Sequence, residues 1–233
     1  MRVLAMSARP GSSEFACGGT LARISADGGK VAICTIANGN SAGVDIPPRE
    51  LATIRRAEAE QAAGRLGAEL FWLNNSDFAV SNDAVTRVTI ADIMRAFSPD
   101  LVLTPAPLGL SQDVRNVWPL VESAAEMSAA PNARTDHEAL PTPPPLIGYQ
   151  PEWVRGFAPT AHVDVSHTVE AKRAALSAYL SLLTWLKESK GLDLLAAADI
   201  VMAYRGLQAG VKHAEAFQAN PADSRSAIHQ LHP

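Results

Sequence analysis

Residues 3–21, VLAMSARPGSSEFACGGTL, constrain the fold more than any other stretch of the chain. The apolar run at 3–6 suits a central parallel strand covered on both faces. A loop rich in glycine and serine follows. Residues 18–26 then read as a helix, ended by Gly28 and Gly29. Open α/β sheets are built from such strand–loop–helix units and place their ligands outside the carboxyl ends of the strands.

The rest of the chain repeats the unit. Residues 30–36, 69–73 and 100–104 are dense in β-branched or apolar residues and read as strands. Helices are predicted over 51–66, 84–97 and 117–127, the last with Pro119 in its first turn, where a missing N–H costs little. Five prolines among residues 139–151 make a stiff connection around a short strand at 146–149. Residues 162–165 alternate as a strand. Residues 168–187 carry Leu176, Tyr179, Leu180, Leu183 and Leu186 at helical spacing, and 192–207 also read as helix. The polar residues after 221 read as a loose tail. With no internal repeat and no linker, the expectation is one domain over 1–233, of α/β class, with a Rossmann-like, doubly wound, mainly parallel sheet. In the strand order 3-2-1-4 the winding reverses between strands 1 and 4. The loops after those strands, 7–15 and 105–115, are therefore the predicted site.

Composition narrows the function classes. A net charge of −4, with no lysine or arginine cluster, leaves no electrostatic footprint for nucleic acid. No apolar run approaches the roughly 20 residues of a membrane span, and residues 3–6 are too short for a signal peptide. Cys17 and Cys34 are too few for a disulfide framework, so a reduced, cytoplasmic protein is expected. The sequence lacks G-x-S-x-G, G-x-x-x-x-G-K-[ST] and G-x-G-x-x-G. Cys17 lies near a helix N-terminus, where thiol pKa values fall, but packing is the favoured reading.

At the two nominated loops the chain resembles the PIG-L/LmbE-like family of zinc-dependent N-deacetylases. The family's A-H-P-D-D-E motif and the following F-G-C-G-G-T-L correspond to Ala8 onward, through Cys17, Gly18, Gly19 and Thr20. The R-x-x-E-x-x-x-A-x-x-x-L-G helix pattern is met by Arg55, Glu58, Ala62, Leu66 and Gly67, and Asp77 matches a family aspartate. The second motif, H-P-D-H-R, falls on Ser111, Gln112, Asp113, Val114 and Arg115. A lysine-bearing helix (Lys172) after V-D-V-S, and A-E-A-F at 214–217, complete the likeness.

The resemblance implies zinc as cofactor and places its ligands at Arg9, Ser12 and Val114, with the general base at Gly11. Those side chains cannot do that work. A guanidinium offers no lone pair and valine no donor atom; a serine hydroxyl is a poor zinc ligand; glycine has no base. No metal and no catalytic residue are therefore expected at these positions. The remaining polar groups, Arg9, Ser12, Ser13, Glu14, Ser111, Asp113 and Arg115, are the candidates for a pocket that takes a sugar-like or anionic small molecule. The plainer expectation for Arg9 is an internal pair with Glu14 or Asp113. Elsewhere, His162, Asp164 and His167 form H-x-D-x-x-H, read as a helix buttress rather than a metal site; His137, Glu138, His229 and His232 read as solvated. Two functions stay open. One is a deacetylase-family protein without zinc catalysis that binds a ligand or a partner, with oligomerisation compatible with either. The other is an active hydrolase on an N-acyl, amino-sugar-like substrate, or an enzyme using a metal-independent site.

Overall fold

The computed structural model describes residues 1–219 and 231. The rest of the predicted tail over 221–233, with His229 and His232, lies outside the described residues.

Along the chain run β1 (Arg2–Ser7), α1 (Ser12–Ala26), β2 (Lys30–Ala37), α2 (Pro48–Arg65), β3 (Ala68–Asn75), α3 (Ala84–Phe97), β4 (Leu101–Pro105) and α4 (Gln112–Ser128). There follow β5 (Leu146–Tyr149), β6 (Ala161–Asp164), α5 (Val169–Ser177), α6 (Leu180–Lys190), α7 (Leu194–Ala209) and β7 (Ala214–Ala219). The strands form one sheet in the order β3-β2-β1-β4-β5-β7-β6. β3, β2, β1, β4 and β5 are parallel, and β7 runs antiparallel between β5 and β6. The predicted reversal between β1 and β4 is present.

The pleat of β1 divides the core. Val3 and Ala5 face one cluster, packed with Leu21, Ala62 and Leu66 of α1 and α2. Leu4 and Met6 face the other, packed with Ile90 and Met94 of α3 and Val117 and Leu120 of α4. Helices on both faces explain why β1 reads as a continuous apolar run instead of an alternating one. A third cluster joins Phe15 to Leu176, Leu186, Leu194 and Ala198, tying the start of α1 to α5, α6 and α7. No helix among the described residues is long and apolar enough to cross a membrane.

Four local features differ from the sequence expectation. α1 starts at Ser12, well before residue 18, and passes through a non-helical Cys17 (φ −137°). α4 starts at Gln112 because Ser111 caps it, its Oγ accepting from Val114 N–H at 3.3 Å. Pro119 accordingly lies in the helix interior, not in the first turn. The helix expected over 168–187 is broken at Tyr179 (φ −84°, ψ 60°). There the chain turns so that the Tyr179 hydroxyl donates to Glu14 Oε1 at 2.6 Å in the core. β7 (AEAFQA) contains no β-branched residue, and its local propensity gives no strand signal; pairing on both sides makes it one.

Candidate functional site

A cavity of about 430 Å³ opens over the carboxyl ends of β1 and β4. Its floor is made by Arg9, Gly11 and Ser12 from the β1–α1 turn and by Gly109, Ser111 and Val114 from the start of α4. Its wall is apolar: Phe15 of α1, Trp153, and Leu182, Trp185 and Leu186 of α6. Phe15 and Trp153 meet at 5.6 Å between ring centroids, tilted by 41°.

The floor is shaped by backbone geometry. Gly11 precedes α1 with φ +88°, in the left-handed region, and a Cβ there would come within 2.9 Å of Leu182 Cδ2. The left-handed φ favours glycine, and any side chain there would have to displace the Leu182 methyl. Ser12 N–H donates to the Arg9 carbonyl at 3.2 Å, closing the turn. Arg9 Nη2 donates to Ser111 Oγ at 2.8 Å, so one hydroxyl links the two loops and caps α4. Arg9 forms no ion pair among the described residues, and the expected pair with Glu14 or Asp113 is not formed. Both carboxylates are engaged elsewhere. Glu14, fully buried, accepts from Tyr179 Oη and from Ser13 Oγ at 3.0 Å, and burial raises its pKa above the ordinary carboxylate value. Asp113 accepts from Phe78 N–H at 2.9 Å and Val80 N–H at 3.3 Å, holding the 78–80 segment against α4.

Of the residues nominated from sequence, Arg9, Gly11, Ser12, Ser111 and Val114 meet at the cavity. Ser13, Glu14, Asp113 and Arg115 lie behind it. Arg115 Nη1 donates to the carbonyls of Gly109 (3.0 Å) and Leu110 (2.7 Å) and so sets the shape of the loop. Apart from Phe15, which lies in the nominated loop 7–15, sequence reasoning missed the apolar wall. Leu186 belongs to the predicted helical stripe and Leu182 and Trp185 to no predicted face; the break at Tyr179 starts α6 afresh, and all three line the cavity.

Two further polar clusters position that wall. Arg55 Nε donates to Ser181 Oγ at 2.6 Å and its Nη2 to the Ala42 carbonyl at 2.7 Å. Glu58 accepts from Ser181 N–H and Oγ, both at 2.7 Å. The R-x-x-E pair of α2 thus clamps the start of α6. Burial pulls the Arg55 pKa down, while Glu58 and Asp77 oppose the shift. Asp77 accepts from Gly39 N–H and Ser41 N–H, both at 3.0 Å, and fixes the loop after β2. Below Phe15, Glu215 of β7 accepts from Gly19 N–H (2.8 Å), Thr20 N–H (2.7 Å) and Thr20 Oγ1 (2.6 Å) of α1 and from Lys172 Nζ (2.7 Å) of α5. A Cβ at Gly19 would lie 2.9 Å from Val165 Cβ and 3.1 Å from Glu215 Oε1, so only glycine admits that approach. Lys172 Nζ also sits 5.9 Å from the Phe15 ring centroid, beneath the cavity wall.

The zinc implied by the resemblance does not fit this donor set. The three positions that would hold it present a guanidinium, a hydroxyl and an isopropyl group. Among the described residues, no three His, Cys, Asp or Glu side chains come together to hold a metal. Asp164 accepts from Ser166 N–H (2.9 Å) and Oγ (2.6 Å), forming the turn before α5. Cys17 is buried with Sγ donating to the Ser13 carbonyl at 3.2 Å, and burial pushes its pKa well up. A neutral, enclosed thiol is a packing group, not a nucleophile.

Comparison with known proteins agrees with this geometry. Over 94% of this chain and 93% of the other, the fold matches a conserved protein from Thermus thermophilus at 25% identity, with a TM-score of 0.79. An N,N'-diacetylchitobiose deacetylase from Pyrococcus horikoshii matches at 24% identity over 94% of this chain and 84% of its own, with a TM-score of 0.81. A 4-carboxy-2-hydroxymuconate hydratase from Pseudomonas putida matches at 20% identity over 96% and 98%, with a TM-score of 0.82. The family model described as GlcNAc-PI de-N-acetylase, PIG-L, matches residues 4–125, more than half of the chain and the part that carries both floor loops. The chain belongs to the PIG-L family.

Proposed function

We propose that this PIG-L-family protein binds a small organic molecule in the cavity over β1 and β4 and does not carry out zinc-dependent N-deacetylation. One observation carries the reading. The positions that the resemblance assigns to zinc and base, Arg9, Gly11, Ser12 and Val114, share one cavity, and the side chains at those four positions supply neither a metal donor set nor a base. A cavity of 430 Å³ falls in the usual range for small-molecule sites, about 300–1,000 Å³. The two buried, unpaired cysteines support a cytoplasmic setting.

The test is metal analysis of protein purified without chelator, beside a deacetylase assay on N-acetylglucosamine and diacetylchitobiose. No stoichiometric metal and no acetate release are expected. One zinc per chain together with acetate release would refute the proposal.

A second reading keeps catalysis without metal. It is favoured by Glu152, which lines the same cavity and carries a carboxylate. The fold accommodates both a deacetylase and a hydratase among the proteins it matches, so fold alone does not select the reaction. Turnover of an N-acyl amino sugar in the presence of EDTA, abolished by Glu152→Gln, would establish this reading over the first.

A further inference from the structure

We infer that the ligand of this cavity is an amphipathic organic anion, with a carboxylate-type head on Arg9 and a hydrocarbon or aryl body along the Phe15–Trp153–Trp185 wall. The inference rests on the ligand-binding reading above and names its chemical class.

Charge at the floor comes first. Two of the other charged groups that line the cavity are already engaged. Arg55 is committed to Ser181, Ala42 and Glu58, and both Asp77 oxygens accept backbone N–H groups. Arg9 is different: its guanidinium makes one hydrogen bond, to Ser111 Oγ, and no ion pair among the described residues. It keeps several N–H donors in a planar fork suited to a carboxylate. It stands in the turn that opens the 15-residue helix α1, whose first N–H groups add positive potential on the same side. Lys190 and Glu152, of opposite sign, also line the cavity and together add no net formal charge to its lining. The uncompensated charge at the floor is therefore Arg9.

The wall supplies the other half. Leu182, Leu186, Leu192 and Leu194 line the cavity with Trp153 and Trp185. The four leucines offer no partner for a hydroxyl, and the polar atoms of this surface are the two indole N–H groups. A pyranose would stack on an indole, but its hydroxyls would then lose water against leucine without replacement. A hydrocarbon body meets no such penalty and gains from the burial of apolar area. One cation opposite an apolar wall therefore selects against a carbohydrate and for an acid with a lipophilic body.

The probes are decanoate, its neutral analogue decanol, and N-acetylglucosamine, titrated below their aggregation limits. Intrinsic tryptophan fluorescence and thermal shift are the readouts, on wild type, Arg9→Gln and Glu152→Gln. Decanoate should bind wild type at least tenfold tighter than decanol, since a charge-assisted hydrogen bond contributes roughly 1.5–3 kcal/mol, or about ten- to a hundredfold. Arg9→Gln should abolish that preference and leave decanol within about twofold. Glu152→Gln removes a like charge and should tighten decanoate severalfold without changing decanol. If Arg9→Gln does not fold, the wild-type ratio and the Glu152→Gln arm decide alone. Equal affinity for decanoate and decanol, an unchanged Arg9→Gln, binding of N-acetylglucosamine alone, or no binding by any probe would overturn the anion assignment. Stoichiometric zinc with deacetylation would instead overturn the underlying binding reading.

Discussion

The Lys172–Glu215 pair makes the sharpest prediction, because its surroundings decide how each substitution fails. Both side chains are about 1% exposed, and Glu215 receives four hydrogen bonds, two of them from backbone N–H groups of α1. Lys172→Met leaves a buried carboxylate still held by Gly19 N–H, Thr20 N–H and Thr20 Oγ1. Breaking a buried pair by removing one partner costs about 3–5 kcal/mol, and those three remaining donors put this variant at the low end, about 3 kcal/mol. Glu215→Gln is worse. It leaves the ammonium unpaired and turns an amide NH₂ toward donors, so a loss nearer 5 kcal/mol is expected. The double variant Lys172→Met/Glu215→Met is the informative one. In other proteins, an apolar replacement of a buried ion pair is often neutral. In this fold it strands two backbone N–H groups and one hydroxyl, about 1–3 kcal/mol each. It should therefore stay at least 3 kcal/mol below wild type. Urea denaturation of wild type, Lys172→Met, Glu215→Met and the double variant gives the cycle, with Glu215→Gln measured beside it. The corresponding loss of Tm is about 2–4 °C per kcal/mol for a chain of this size. If the double variant recovers wild-type stability, Glu215 acts only as a counter-ion to Lys172 and contributes nothing by holding the backbone of α1.

Two other outcomes follow from the same geometry. Burial raises the Glu14 pKa above its ordinary 4.5, so above about that pH the folded chain retains a proton that the unfolded chain has released. Stability should fall as pH rises through the window between those two values. Glu14→Gln, which keeps an acceptor for Tyr179, should flatten that slope in urea titrations; parallel curves for the two proteins would show that Glu14 does not titrate there. The triple variant Arg9→His/Ser12→Asp/Val114→His restores the donor set that the resemblance assigns to zinc. A folded triple variant should acquire about one zinc per chain by elemental analysis, against none for wild type. A folded variant without zinc would mean that the three positions do not converge as the cavity implies.

Much of the frame was readable because it depends on local, repeated signals. The apolar run at 3–6, Pro47 and Pro48 at the start of α2, and Gly67 after its end are signals of this kind. The strand order 3-2-1-4 then placed the site between two loops. What escaped depends on contacts distant in sequence. Tyr179 fits a helical stripe well, and only Glu14, 165 positions earlier, pulls the chain out of helix there. β7 has no strand propensity of its own. The pocket wall follows from both, since α6 is aimed by the break at Tyr179 and by the Arg55–Glu58 clamp on Ser181.

The family resemblance divides along the same physical line. The family residues that this chain retains do structural work: Arg55 and Glu58 on α6, Asp77 on the 39–41 loop, Asp113 on the 78–80 segment, Lys172 and Glu215 beneath Gly19. Several are buried polar groups whose loss would leave partners unsatisfied, so they persist for stability whatever the cavity does. The four positions that the resemblance assigns to zinc and base, 9, 11, 12 and 114, line the cavity with Ser111, while Ser13 and Gln112, which also differ from the motif, do not. Changing them leaves none of these buried networks broken, and Arg9 and Ser111 form a new bond across the floor. On the proposed reading, frame and chemistry are separable in this fold: the buried networks hold two loops and one helix around a cavity, and the side chains at four floor positions decide whether that cavity presents a metal or a guanidinium to its ligand.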